Sequence, residues 1–158
     1  MLRFLTSAMS FAVVAAGFIA QPSFAASSPA RTLLNENRLD EGAAVCRQFE
    51  VLSTIDVDNF VACAWIYLRT DRTDGAERFM EKIRKSTLAA NELSLLNAYG
   101  DIKRKRYEQA RLSLNRLMDE LRGQPLGPVA QELSAELYEA VGQNDTAAFI
   151  YKQVATDD

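Results

Sequence analysis

From residue 30 onward, apolar positions recur at helical spacing, and no stretch alternates apolar and polar residues between turn pairs as a strand would. The pattern predicts an all-α chain with helices over 30–37, 40–52, 58–69, 73–85, 90–105, 107–121, 128–141 and 145–156. Asp58, Thr73 and Asp145 stand where a side-chain oxygen would cap the free N–H groups of a first turn. Pro128 suits the opening turn of the seventh helix. The segment 60–68 departs from an amphipathic pattern, because it is apolar throughout.

The first 25 residues follow another pattern. Arg3 gives a positive start, 4–20 contains an apolar stretch, and Pro22 precedes the small-x-small site Ser23-Phe24-Ala25. This is the layout of a secretory signal cleaved after Ala25. A retained membrane anchor is the alternative, but its apolar span would be barely long enough and contains Thr6, Ser7 and Ser10. No cysteine lies near the cleavage site to carry a lipid. Residues 26–30 read as a short tether, so the expected mature domain is 26–158, periplasmic or secreted and free of the membrane after cleavage.

A repeat runs through the mature region. Gly42, Ala76 and Ala110 are 34 residues apart, and Ala147 follows after 37, the extra three falling in the loop Gly123-Gln124-Pro125-Leu126-Gly127-Pro128. Around them stand Leu39-Asp40-Glu41-Gly42, Thr73-Asp74-Gly75-Ala76, Tyr107-Glu108-Gln109-Ala110 and Asp145-Thr146-Ala147. Two helices in 34 residues is the length of a tetratricopeptide repeat. The unit Phe60-x2-Cys63-Ala64-x2-Tyr67-x8-Ala76-x3-Met80 resembles that family's alternation of large and small residues, as does Ala135-x2-Tyr138-x8-Ala147-x3-Tyr151. The third unit keeps Ala98, Ala110, Leu114 and Leu117 but has Asp101 at an aromatic position, and the first unit is truncated.

The resemblance implies a solenoid of about 3.5 antiparallel helical hairpins, in which small residues let helices approach and large ones fill the space beside them. An irregular bundle of the same helices is the alternative. It also implies a concave groove with a floor of Val61, Trp65, Leu68, Leu95, Tyr99 and Ile102. Arg69 and Lys103 would stand at its edge, and Glu132, Glu136 and Glu139 at its C-terminal end. Such a surface would bind a segment of another protein, with Trp65 and Tyr99 partly exposed. The alternatives are burial of the apolar helix inside the chain or self-association through the same surface. The family's carboxylate clamp, with Lys and Asn at groove positions, is absent, since Val61 and Trp65 stand there.

Candidate chemistry changes this picture little. The chain has no histidine, so it lacks the commonest general base and metal ligand. It has no Gly-rich phosphate loop, and a net charge of −3 does not suit a nucleic-acid binder. The expectation is a binding protein rather than an enzyme, with no cofactor and no metal. Glu132, Glu136 and Glu139 share a helix face, either as a site for a cation or basic ligand or as a solvated surface. The basic run Lys103-Arg104-Lys105-Arg106 suits a helix C-terminus, or alternatively an acidic partner.

Cys46 and Cys63 would reach an oxidising compartment. Their midpoint falls near Thr54-Ile55, in the connection between two helices expected to be antiparallel, so they would face each other. A disulfide is expected, with two small packing residues as the alternative.

Overall fold

The computed structural model describes residues 28–52, 56–86 and 89–156. The predicted leader and its cleavage site lie outside these residues, as does Thr54-Ile55.

Among the described residues the chain is all-helical, with eight helices. They are α1 (Pro29–Asn35), α2 (Leu39–Glu50), α3 (Val57–Arg69), α4 (Thr73–Ile83), α5 (Ala90–Lys103), α6 (Tyr107–Glu120), α7 (Gly127–Ala140) and α8 (Asn144–Val154). Each helix packs against the next, and in addition α1 meets α3, α3 meets α5 and α5 meets α7.

Four helices end in the same way. Asn37, Asp71, Lys105 and Gly142, just beyond α1, α3, α5 and α7, take positive φ of 55°, 56°, 61° and 80°. The next residue's N–H then reaches back to the helix, as Arg38 to Leu33 O, Arg72 to Tyr67 O, Arg106 to Asp101 O and Gln143 to Tyr138 O. These bonds satisfy carbonyls that the helix end leaves open. The four left-handed residues are separated by 34, 34 and 37 positions, the steps of the sequence repeat.

The caps differ from expectation. Asp56, not Asp58, caps α3 by accepting from the Asn59 N–H at 3.1 Å. Helices α4 and α8 start without a side-chain cap from Thr73 or Asp145, because Arg72 and Gln143 hold the cap positions. Pro128 does sit in the first turn of α7.

Helix α3 is the centre of the packing. Every residue from Asn59 to Leu68 is buried, because α1, α2, α4 and α5 all lie against it. Close approach of α4 requires Gly75, since a Cβ there would run into the Tyr67 ring. Tyr67 donates to Glu50 at 2.7 Å, and burial followed by this hydrogen bond pushes its phenol up to about 12. Lys82 of α4 donates to the carbonyls of Phe49 (3.3 Å), Glu50 (2.8 Å) and Leu52 (3.2 Å), closing the C-terminal end of α2. At the other end, buried Asn59 accepts from the Ala30 N–H, and Arg31 bridges Asp58 and Glu92. This short first helix is thereby tied to both α3 and α5.

The disulfide joins Cys46 of α2 to Cys63 of α3, with Cα atoms 5.4 Å apart and both side chains fully buried. Among the described residues no helix is long and apolar enough to cross a membrane.

Candidate functional site

Helices α3, α5 and α7 carry every residue expected to meet a partner. One repeat step apart, Trp65 and Tyr99 lie with ring centroids 5.7 Å from each other. The Lys103 ammonium stands 5.3 Å from the Tyr99 ring centroid and bonds Asp71 at 2.9 Å. Asp71 is the left-handed residue that closes α3, so this ion pair ties the end of α3 to the end of α5.

The electrostatics place Glu136 of α7 in the same cluster. Burial and the Glu136 carboxylate push the Tyr99 phenol up, with Lys103 acting against them. Burial also pushes Glu136 up, and neighbouring Glu132 adds to this, while Tyr99, Lys103 and Arg69 pull the other way. For Lys103, burial pulls the ammonium down, but Asp71 and Tyr99 outweigh it and the net direction is up. Tyr99 and Lys103 of α5 and Glu136 of α7 therefore feel one another's charge.

The exposure expected of the apolar floor is not found. Trp65 is 6% exposed and Tyr99 is 4% exposed, and Val61, Leu68, Leu95 and Ile102 are buried as well. The reason is the surround of α3: a helix apolar on all sides is buried on all sides, and Trp65 is closed over on the α5 side by Tyr99. Val61, Trp65, Leu68, Leu95 and Tyr99 are core in this conformation, and only Ile102, at the end of the row, reaches an open surface. Arg69, Glu132 and Glu139 are exposed, and Lys103 and Glu136 are half-buried.

An open surface exists where the floor ends. A cleft of about 630 Å³ lies between the C-terminal part of α5 and the helices α7 and α8. Lys103 and Lys105 stand on its walls with Glu136, Glu139, Tyr107 and Tyr151. The Tyr151 hydroxyl donates to Glu139 at 3.3 Å. Burial, then Glu139 and Glu136, pushes that phenol up to about 12. The cleft thus offers both signs of charge beside two aromatic rings, which suits a polypeptide segment better than a small apolar ligand. Among the described residues no group of three or more His, Cys, Asp or Glu side chains is placed to hold a metal ion.

Tyr107 and Tyr151 were not among the expected site residues, and Lys105 was expected only as part of the basic run 103–106. Tyr151 reads in the sequence as a packing residue, and only its half-buried place beside Glu139 shows its hydroxyl turned to the cleft.

The chain matches no protein-family model, no curated protein and no solved structure. The functional reading therefore rests on the fold and the cleft.

Proposed function

We propose that the chain is an exported adaptor, a solenoid of about three and a half tetratricopeptide-like hairpins that holds a segment of another protein. The observation that carries this reading is the recurrence of one helix ending at Asn37, Asp71, Lys105 and Gly142. A turn repeated at 34, 34 and 37 residues supports one hairpin geometry used each time, and the contacts of α1 with α3, α3 with α5 and α5 with α7 are what stacked hairpins would make. Export is supported by the predicted leader and by a disulfide, which persists in oxidising compartments. The setting we favour is the assembly of an envelope, pilus or secretion complex.

In this reading the aromatic row of Trp65 and Tyr99 is a spine that sets the stacking. Partner contact belongs to the cleft beyond it, where Lys103, Glu136 and Glu139 meet Lys105, Tyr107 and Tyr151. The partner is a chain segment carrying charges of both signs.

A photoreactive residue in place of exposed Glu139, in cells exporting the protein, tests the proposal. The expected result is a covalent adduct with a second, different protein, diminished by Lys103→Glu. The absence of any adduct, or adducts only between copies of this chain, overturns it.

A further inference from the structure

In a stack of hairpins each second helix is covered by the first helix of the next hairpin. Helix α4 buries Gly75, Ala76, Phe79, Met80 and Ile83, and α6 buries Ala110, Leu114 and Leu117. Helix α8 buries only Ala147. It packs on α7, and no other described helix makes more than marginal contact with it. A helix of a repeat array that no neighbouring helix covers needs a polar outer face in water. The outer face of α8 instead carries Phe149, which is 61% exposed.

The residues around Phe149 say what covers it. Asp145, Ala148, Phe149 and Lys152 are all exposed and follow the i, i+3, i+4, i+7 spacing of one helix stripe. Neither Asp145 nor Lys152 has an ion-pair partner within the described chain. The stripe is complementary to its own reversed copy. Set two α8 helices antiparallel, with a two-fold axis between Ala148 and Phe149. Each Phe149 ring then lies over Ala148 of the second copy, a small residue that leaves room for it. Each Asp145 lies opposite Lys152 of the second copy. A patch that complements itself about a two-fold axis closes a dimer rather than growing a fibre.

We propose that α8 pairs antiparallel with α8 of a second copy of this chain, through the stripe Asp145, Ala148, Phe149 and Lys152. This goes beyond the adaptor reading; it rests on the hairpin stack of that reading but not on its cleft, because the cleft and the stripe use different residues. An 11-residue helix is about 16 Å long, and a pair of that length buries less than the roughly 1,200 Å² of standard interfaces. The dimer is therefore weak, and copies associate at about micromolar concentration or above.

Sedimentation equilibrium of the exported, disulfide-bonded chain from about 1 to 500 µM tests this, with helix content checked by circular dichroism. The wild type should fit a monomer–dimer equilibrium, and Phe149→Glu should be monomeric throughout. Ala148→Glu, which fills the space opposite the ring, gives the same readout if Phe149→Glu loses helix content. Asp145→Lys and Lys152→Asp should each weaken the dimer about fivefold, two pairs being reversed per dimer. The double exchange Asp145→Lys with Lys152→Asp should restore it. A wild type that stays monomeric, a dimer indifferent to both Phe149→Glu and Ala148→Glu, or a double exchange as weak as the single ones overturns the proposal.

Discussion

Cys46 and Cys63, 17 residues apart, are bonded across the packed faces of α2 and α3 with no solvent access to either side chain. A cross-link closing a loop of this length stabilises a fold by about 3 kcal/mol through its effect on the unfolded chain. Cys46→Ala with Cys63→Ala should lower the urea unfolding free energy by about that amount. Burial should also protect the native bond from dithiothreitol until the chain unfolds. Rapid reduction of the folded protein, or a loss well below 1 kcal/mol, would show that the bond does not hold the first hairpin to α3.

Lys105 holds a left-handed conformation that glycine takes at no steric cost, as Gly142 does at the equivalent turn. Lys105→Gly should raise the unfolding free energy by up to about 1 kcal/mol, the strain relieved in the folded state exceeding the added freedom of the unfolded one. Thermal melts of the two proteins decide it. Destabilisation instead would mean that the Lys105 side chain contributes more than its backbone costs.

Glu136 makes a prediction of opposite sign for stability and for binding. Its carboxyl is held above the ordinary carboxylate range, so the folded state favours the protonated form. No penalty exists below the unfolded pKa of about 4.3, where both states are protonated. The penalty sets in as pH rises through that value and is complete above the folded pKa. Glu136→Gln should therefore stabilise the fold at pH 7, by less than about 1 kcal/mol because the group is half exposed, and show little effect near pH 4. The same change should weaken partner capture. Chemical denaturation at both pH values, with crosslinking yield at Glu139, measures the two effects separately.

Helix number and order were legible because apolar spacing and turn residues agree along the whole described chain. Helix ends were less so. The expected ends at 85, 105 and 156 overrun α4, α5 and α8, since a basic run such as Lys103 to Arg106 gives no sign that Lys105 turns left-handed. The disulfide followed from placing Cys46 and Cys63 on antiparallel helices equidistant from a turn. The site was harder to read. A repeat pattern identifies which residues share a row, but not whether that row is open. For Val61, Trp65 and Leu68 the uninterrupted apolar run 60–68 was the better guide, because a helix without a polar side has neighbours on every side. The cleft was hidden because Tyr151 looks like a packing residue until the place of its ring is known, and Tyr107 stood out only as part of the repeat.

The aromatic row of Trp65 and Tyr99 is interior, which leaves the cleft as the open surface beside it. Trp65 is the chain's only tryptophan, so its fluorescence reports on that row alone. Acrylamide quenching of the exported chain, lacking the predicted leader, should be weak in the native state and rise to that of a free indole only on unfolding. Strong quenching in the folded protein would contradict the account, because it would mean that Val61, Trp65, Leu95 and Tyr99 form an open groove and not a core.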